Sequence, residues 1–458
     1  MPTSLTEGKI SSLLIKFSLP FLLASFIQTA YHMVNVVILG WLASPASLAG
    51  AGNGSNLLIS ITSFFFGLTT GSMILLGQHY GAKDSENSAK IVGNIIILQV
   101  VIAALGTAVA LFLGRLFIRI TNVPLEIDEN GLSAASEAWD YMRVSAYGLI
   151  FQAGYNMINS ILRALGNSKT PLIFVSISCV VNIAFNLIFV GVFKMGAAGA
   201  ALATVIAQAV SFAVSLQYML RKKLPFEFSS RHIRPTAQTL KSILRLGTPI
   251  SLQTVLNTLS FIVIAAIINK MGLYASTANG IVNNVANLFM IIPLALGSSL
   301  SAISAQNLGA GKAGRALDSA KLGILFSLII AIPLTILSNI YPTAIISIFT
   351  PHPDVIKASA EFLIPFSWDF LLVSFVFCIN GFFNGCGITT FVAIHETVAA
   401  FIVRIPVSWL LSLVSGATLY HVGIGTPAAS VMSLIMCLIY YKVKLAGGKL
   451  AQLRIAGT

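Results

Sequence analysis

Three charged side chains, Asp369, Glu396 and Arg404, stand inside stretches that are otherwise almost wholly apolar. Charge in such surroundings is costly, so each is a functional candidate by default. Asp369 lies about eleven residues into the stretch 358–384, which at about 1.5 Å per helical residue puts it about 16 Å deep. A carboxylate there can hold a proton, a sodium ion or a cationic ligand, one at a time. The alternative is a buried ion pair with Arg404 that fixes helix packing. His395 and Glu396 are neighbours in the next stretch, 388–415. Adjacent helical residues project about 100° apart, so one of the two is expected to face a cleft. Glu396 is thus a second candidate for cation exchange, with an interfacial or Arg-paired role as its alternative. His32 lies close to Asn35 along the chain and can titrate near neutral pH, or serve as a bonded packing residue. Arg143 is expected to snorkel to the nearer surface.

Uncharged polar residues are frequent in the same stretches. They include Gln28, Tyr31, Asn35, Asn159, Asn182, Asn186, Gln253, Asn257 and Asn380. Asn279, Asn283 and Asn287 recur at i, i+4 and i+8 and so share one helix face. Their number suggests a hydrated cleft, although any one of them can equally bond helix to helix. Pro20 and Pro249 lack a backbone donor near the start of two long apolar stretches, where a helix can kink or flex.

The elements that position these groups must be membrane helices. Of the 458 residues, 56% are apolar and 9% charged, and the mean hydropathy is +0.90. A soluble globular chain carries roughly 25% charged residues. Twelve spans fit: 13–42, 48–76, 91–118, 137–163, 170–193, 196–220, 242–270, 277–304, 320–349, 358–384, 388–415 and 420–442. Lys and Arg gather in alternate loops, and the loop holding Glu126, Asp128 and Glu129 is acidic. The positive-inside rule then places both termini in the cytoplasm. The net charge of +13 follows this loop pattern and forms no nucleic-acid patch. The start of the chain shows no cleavage site, so the first helix is expected to remain. Cys179, Cys378, Cys386 and Cys437 have neither CxxC nor Cys/His spacing and read as buried thiols. No metal site or cofactor is expected.

An internal repeat joins the halves. FSLP at 17–20 and GQHYGAK at 77–83 pair with RLGTP at 245–249 and AQNLGAGK at 305–312. MINSILRALGNSKT at 157–170 pairs with CINGFFNGCGITT at 378–390, matching Asn159 to Asn380 and Gly166 to Gly387. Even-numbered units that begin on the same side are parallel repeats about an axis along the membrane normal. The expected organisation is an all-α membrane protein of two six-helix lobes, 1–220 and 241–445. A basic cytoplasmic linker, 221–240, joins them, and a cytoplasmic tail follows at 446–458.

TEGKI and FSLP near the start, GQHYGAK, RALGNSKTPL, NIAFN, GAAGAALATVIAQ and LGTPISLQ follow in the order seen in the multidrug and toxic compound extrusion (MATE) family, which the chain resembles over nearly its whole length. The resemblance implies a V-shaped twelve-helix fold that exports organic, often cationic, compounds in exchange for protons or sodium. It also implies departures. Where the family commonly has an Asp in the first helix this chain has Asn35, and where it often has a second Asp in the fifth helix this chain has Asn186. Asn182 and Thr204, which match the other two members of that cation site, are kept. An amide oxygen can ligate sodium but cannot titrate. A seventh-helix Glu of some members is replaced by Asn257. Asp369 resembles a carboxy-lobe Asp implicated in cation binding.

The expected protein is therefore a monomeric secondary transporter in the bacterial cell membrane. It takes small organic, cationic substrates among the membrane lipids and works by alternating access, with H+ or Na+ as coupling ion. One rival is a flippase for a lipid-linked precursor of the same superfamily, which would want several cations in its cavity. The other is an integral membrane enzyme, for which no HExxH, P-loop or triad spacing is present.

Overall fold

The computed structural model describes residues 4–446 other than 122, 125, 126, 128–130 and 223, together with 452 and 455. Glu126, Asp128 and Glu129 of the acidic loop, Lys223 of the linker and most of the tail lie outside the described residues.

Twelve long helices account for nearly all of the described chain. They are α1 (Ile10–Leu42), α2 (Pro45–Gly81), α3 (Ser85–Ile120), α4 (Ala134–Ala164), α5 (Lys169–Val192), α6 (Gly196–Arg221), α7 (Ala237–Asn269), α8 (Leu273–Gly309), α9 (Ala313–Ile340), α10 (Pro353–Gly385), α11 (Thr389–Ser412) and α12 (Leu419–Leu445). Eleven are long and apolar enough to cross a bilayer. The exception, α4, has 31 residues but carries Glu137, Asp140, Arg143 and Arg163. The chain is a multi-pass membrane protein. One expected span, 320–349, is divided. Here α9 stops at Ile340 and a short helix, Pro342–Ser347, follows, because Pro342 has no N–H to continue the ladder and suits a first turn.

Local sequence sets the boundaries. Ser44 caps α2 through the Ser47 N–H, with Pro45 in the first turn. Asp84 caps α3 through Asn87, and Ser133 and Ser136 form a reciprocal capping box on α4. The repeat recurs in backbone detail. Gly166 and Gly387 both sit at φ +81°, closing α4 and α10 with matching bonds from Asn167 N–H to Leu162 O and from Ile388 N–H to Phe383 O. At the ends of α2 and α8 the left-handed residues are Lys83 at φ +59° and Gly311 at φ +71°.

Contacts divide the chain into two units, Leu19–Ser251 and Leu5–Ser18 with Leu252–Ala456. The divisions fall inside α1 and α7, within three residues of Pro20 and Pro249, and both helices run on through their prolines. In the first unit α2, α3 and α4 enclose a core that includes Leu58, Phe65, Ile102 and Leu149. In the second, α7, α8 and α10 pack around Ile268, Val282, Phe362 and Phe366. Gly297 of α8 and Gly381 of α10 meet backbone to backbone, leaving no room for a Cβ on either.

The repeated motif at the end of α8 has a visible task. Gln306 Oε1 accepts the Leu5 N–H at 3.1 Å, and Asn307 Nδ2 donates to Leu5 O at 3.0 Å. Lys312 donates to Thr6 O, and Arg315 to Glu7 O and Gly8 O. The segment before α1 is thereby strapped to the second unit.

Candidate functional site

Asp369, Glu396 and Arg404 converge in the second unit. They line one cavity of about 40 Å³ together with Asn257 and Phe261 of α7 and Ser430 and Ser433 of α12. That volume accommodates a few water molecules. All three are buried, at 1%, 9% and 7% exposure. Among the described residues, Arg404 has no carboxylate within 4.0 Å. Its Nη1 instead donates to Asn257 Oδ1 at 2.7 Å and Ser260 Oγ at 3.0 Å, and the guanidinium lies 4.5 Å from the centroid of the Phe261 ring. The direct Asp369–Arg404 ion pair, one of two readings of the sequence, is not formed. Asp369 Oδ1 is buried without a hydrogen-bond partner, and so is Arg404 Nε.

A local change in winding accompanies this placement. Residues Ala399–Arg404 of α11 form a π-helical turn that ends on Arg404, and α5 has another at Leu187–Val192, directly after Asn186. Such wide turns often mark functional positions.

Behind the cavity, Asn380 joins two further groups. Its Nδ2 donates to Glu396 Oε1 at 2.8 Å, and its Oδ1 lies 2.9 Å from His395 Nε2. An amide oxygen only accepts, so Nε2 carries the proton. His395 Nδ1 is 2.8 Å from Ser433 Oγ, a hydroxyl able to donate, and the neutral ring satisfies both bonds. Of the adjacent pair His395 and Glu396, only Glu396 lines the cavity, as 100° spacing requires.

In the first unit the expected polar quartet also assembles. Asn186 Nδ2 donates to Asn35 Oδ1 at 2.9 Å and to Asn182 Oδ1 and Asn182 O, each at 3.2 Å. Asn182 Nδ2 donates to Thr204 Oγ1 at 3.1 Å, and the Thr204 hydroxyl turns to Ala200 O. The amides largely satisfy one another, leaving Asn186 Oδ1 without a partner.

The other candidates are more scattered. His32 stacks on Tyr31 with centroids 4.4 Å apart, and Gln28 is exposed. Gln253 is half-buried on α7. Asn283 bonds Asn279 at 3.0 Å, whereas Asn287 is exposed. Asn159 is buried, but its Oδ1 has no partner, unlike that of Asn380 at the matching position. Arg143 pairs with Asp140 at 3.2 Å on the exposed side of α4. Sequence reasoning passed over Ser260, Phe261, Ser430 and Ser433, because serines and aromatics are common in apolar helices and only the fold shows which face a cavity. It also passed over Glu137, which is buried and accepts the Ala197 N–H at 2.8 Å at the start of α6.

The MatE family model matches residues 20–188 and 249–410 of the chain. The chain is similar to the probable multidrug resistance protein YpnP of Bacillus subtilis (strain 168), with 27% identity covering 95% of this chain and 96% of that protein. It is also similar to the probable multidrug resistance protein YoeA of the same organism, with 30% identity covering 93% and 92%. A crystal structure of MATE in complex with MaL6 shares the fold at a TM-score of 0.89 and 18% identity, covering 98% of both chains. So does an outward-facing multidrug resistance MATE family transporter of the MOP superfamily, at the same TM-score and identity over 99% and 98%. With nearly three-quarters of its length matched in the two expected blocks, the chain belongs to the MatE family.

Proposed function

We propose that this protein is a secondary efflux carrier that exports organic cations in exchange for protons or sodium, with the Asp369 cavity as its exchange centre. The observation that carries this reading is the buried, unpartnered Oδ1 of Asp369 beside a cavity large enough for water. An unpaired carboxylate in the membrane interior favours any cation that reaches it. Substrate and coupling ion then exclude one another, and mutual exclusion at one carboxylate makes an exchanger. In a one-for-one exchange of monovalent cations no net charge moves, and a pH gradient supplies about 1.4 kcal/mol per unit, enough for about tenfold accumulation. The first-unit quartet, which lacks an acid, contributes packing and hydrogen bonds. Pro20 and Pro249 are the proposed flex points of alternating access. A single copy suffices as a monomer, since α7, α8, α10, α11 and α12 supply every wall of the cavity. The names of the curated relatives support a small-molecule exporter.

The test is transport in reconstituted vesicles under an imposed pH or sodium gradient, with ethidium as the reporter. Asp369→Asn is expected to abolish gradient-driven export while the protein stays monodisperse in detergent. Export at the wild-type rate in that variant overturns the assignment.

A further inference from the structure

Two carboxylates and one guanidinium line the second-unit cavity. With all three ionised, their charges sum to −1. Each charge is tied down differently. Glu396 Oε1 accepts from Asn380 Nδ2 at 2.8 Å, a bond that suits a carboxylate. Arg404 is held off both acids by Asn257, Ser260 and the ring of Phe261. A guanidinium stays charged throughout the physiological range, so its contribution to the sum is fixed. His395 satisfies Asn380 and Ser433 as a neutral ring and adds nothing. The Asp369 carboxyl has a hydrogen bond from Ser430, but its Oδ1 has no partner. The cavity therefore has one open seat for one positive charge, with a permanent cation on its wall.

We infer that Arg404 is a specificity-determining residue that sets the charge of the cavity at −1, so that the carrier accepts organic cations of single charge and rejects organic dications. This rests on the cation-export reading and adds to it the charge class of the substrate. A singly charged ligand neutralises the site. A second positive charge on the same ligand has no carboxylate left to meet and adds to the charge of the guanidinium on the same cavity wall, in a poorly screened interior where like-charge juxtaposition is disfavoured. Without Arg404 the same two carboxylates sum to −2 and suit a dication.

Ethidium and propidium make a matched probe pair, because they share one phenanthridinium ring and differ by a second, quaternary ammonium charge. Initial export rates are measured in vesicles carrying the wild-type protein, Arg404→Gln, Arg404→Lys and Glu396→Gln. The wild-type protein is expected to favour ethidium by at least about tenfold, and Arg404→Gln to shrink that ratio to about threefold or to invert it. Arg404→Lys, which keeps the charge, keeps the preference. Glu396→Gln shifts the sum in the opposite direction, to zero, and is expected to lose ethidium export by about tenfold or more. This last variant serves as the independent check should Arg404→Gln fail to fold. A ratio unchanged in Arg404→Gln, equal wild-type rates for the two dyes, or full ethidium export by Glu396→Gln overturns the inference. Full ethidium export by Asp369→Asn, or no wild-type export of either dye, overturns the exchange-centre reading itself, so the two failures are separable.

Discussion

Arg404 gives its shortest hydrogen bond to Asn257, at 2.7 Å, and none to either acid that shares its cavity. The amide oxygen of α7 holds the guanidinium against Phe261 and keeps the carboxylates unpaired. A buried ion pair would be electrically closed. An amide-held cation leaves the site open.

That arrangement predicts the cost of losing Asn257. Asn257→Leu removes an acceptor from a buried charged donor and should lower stability by about 1.5–3 kcal/mol. Thermal unfolding of the purified protein in detergent measures this. Asn257→Asp, which keeps an acceptor for Arg404, should stay closer to the wild-type midpoint.

Asn380 and Asn159 occupy matching positions in the repeat but carry different burdens. Asn380→Leu strands both Glu396 and His395 and should cost about 2–6 kcal/mol, since each abandoned buried partner costs about 1–3 kcal/mol. Asn159→Leu, at a residue whose Oδ1 is already unpartnered, should cost clearly less. Equal losses of unfolding temperature in the two variants would contradict this asymmetry.

Matched turns predict reciprocal glycine effects. Lys83 adopts φ +59° where its counterpart is Gly311, so Lys83→Gly should be neutral or stabilising. Gly311→Lys should destabilise by about 1 kcal/mol, because a Cβ is disfavoured in the left-handed region. Comparing unfolding midpoints of the two variants against wild type tests the pair.

Among the described residues, Asp84 is a contributor to acid sensitivity outside the spans. Burial raises the Asp84 carboxyl, but hydrogen bonds from Asn87 and His79 outweigh it and hold the group below the ordinary carboxylate range. A depressed folded-state value contributes stability that is present above the unfolded value and is lost as pH falls through the folded one. Asp84→Asn should therefore flatten the fall in unfolding temperature across the acidic range below the normal carboxylate value. An unchanged slope would remove Asp84 from the account.

Much of this architecture was legible in the sequence for one reason. A bilayer demands long apolar helices and tolerates charge only where it is used, so spans and candidate acids announce themselves. Asp369, Glu396 and Arg404 stood out by charge alone, and the quartet of Asn35, Asn182, Asn186 and Thr204 by resemblance. What the sequence left undecided was direction. Nothing in residue type says that Arg404 turns to Asn257 or that Asn380 reaches His395, because those choices depend on how α7, α10 and α11 are rotated about their axes. The same holds for Ser430 and Ser433, two of several serines in an apolar helix. The end of α9 was misjudged because an apolar run continues through Pro342, and hydropathy does not register a missing backbone donor.

The π-helical turn at Ala399–Arg404 has a consequence for how α11 can vary. A π turn accommodates one residue more than the α-helical ladder around it, so everything downstream is set one position out of phase with the segment that carries His395 and Glu396. Removing a single residue such as Ala400 from within the turn would let the ladder close into regular α-helix with the flanking side chains near their present faces, whereas the same deletion in a regular stretch of α11 would swing the following side chains by about 100°. A one-residue deletion inside the turn should therefore keep Arg404 at its cavity, while the same deletion between Glu396 and the turn's start should be tolerated only if the turn itself closes up to absorb it.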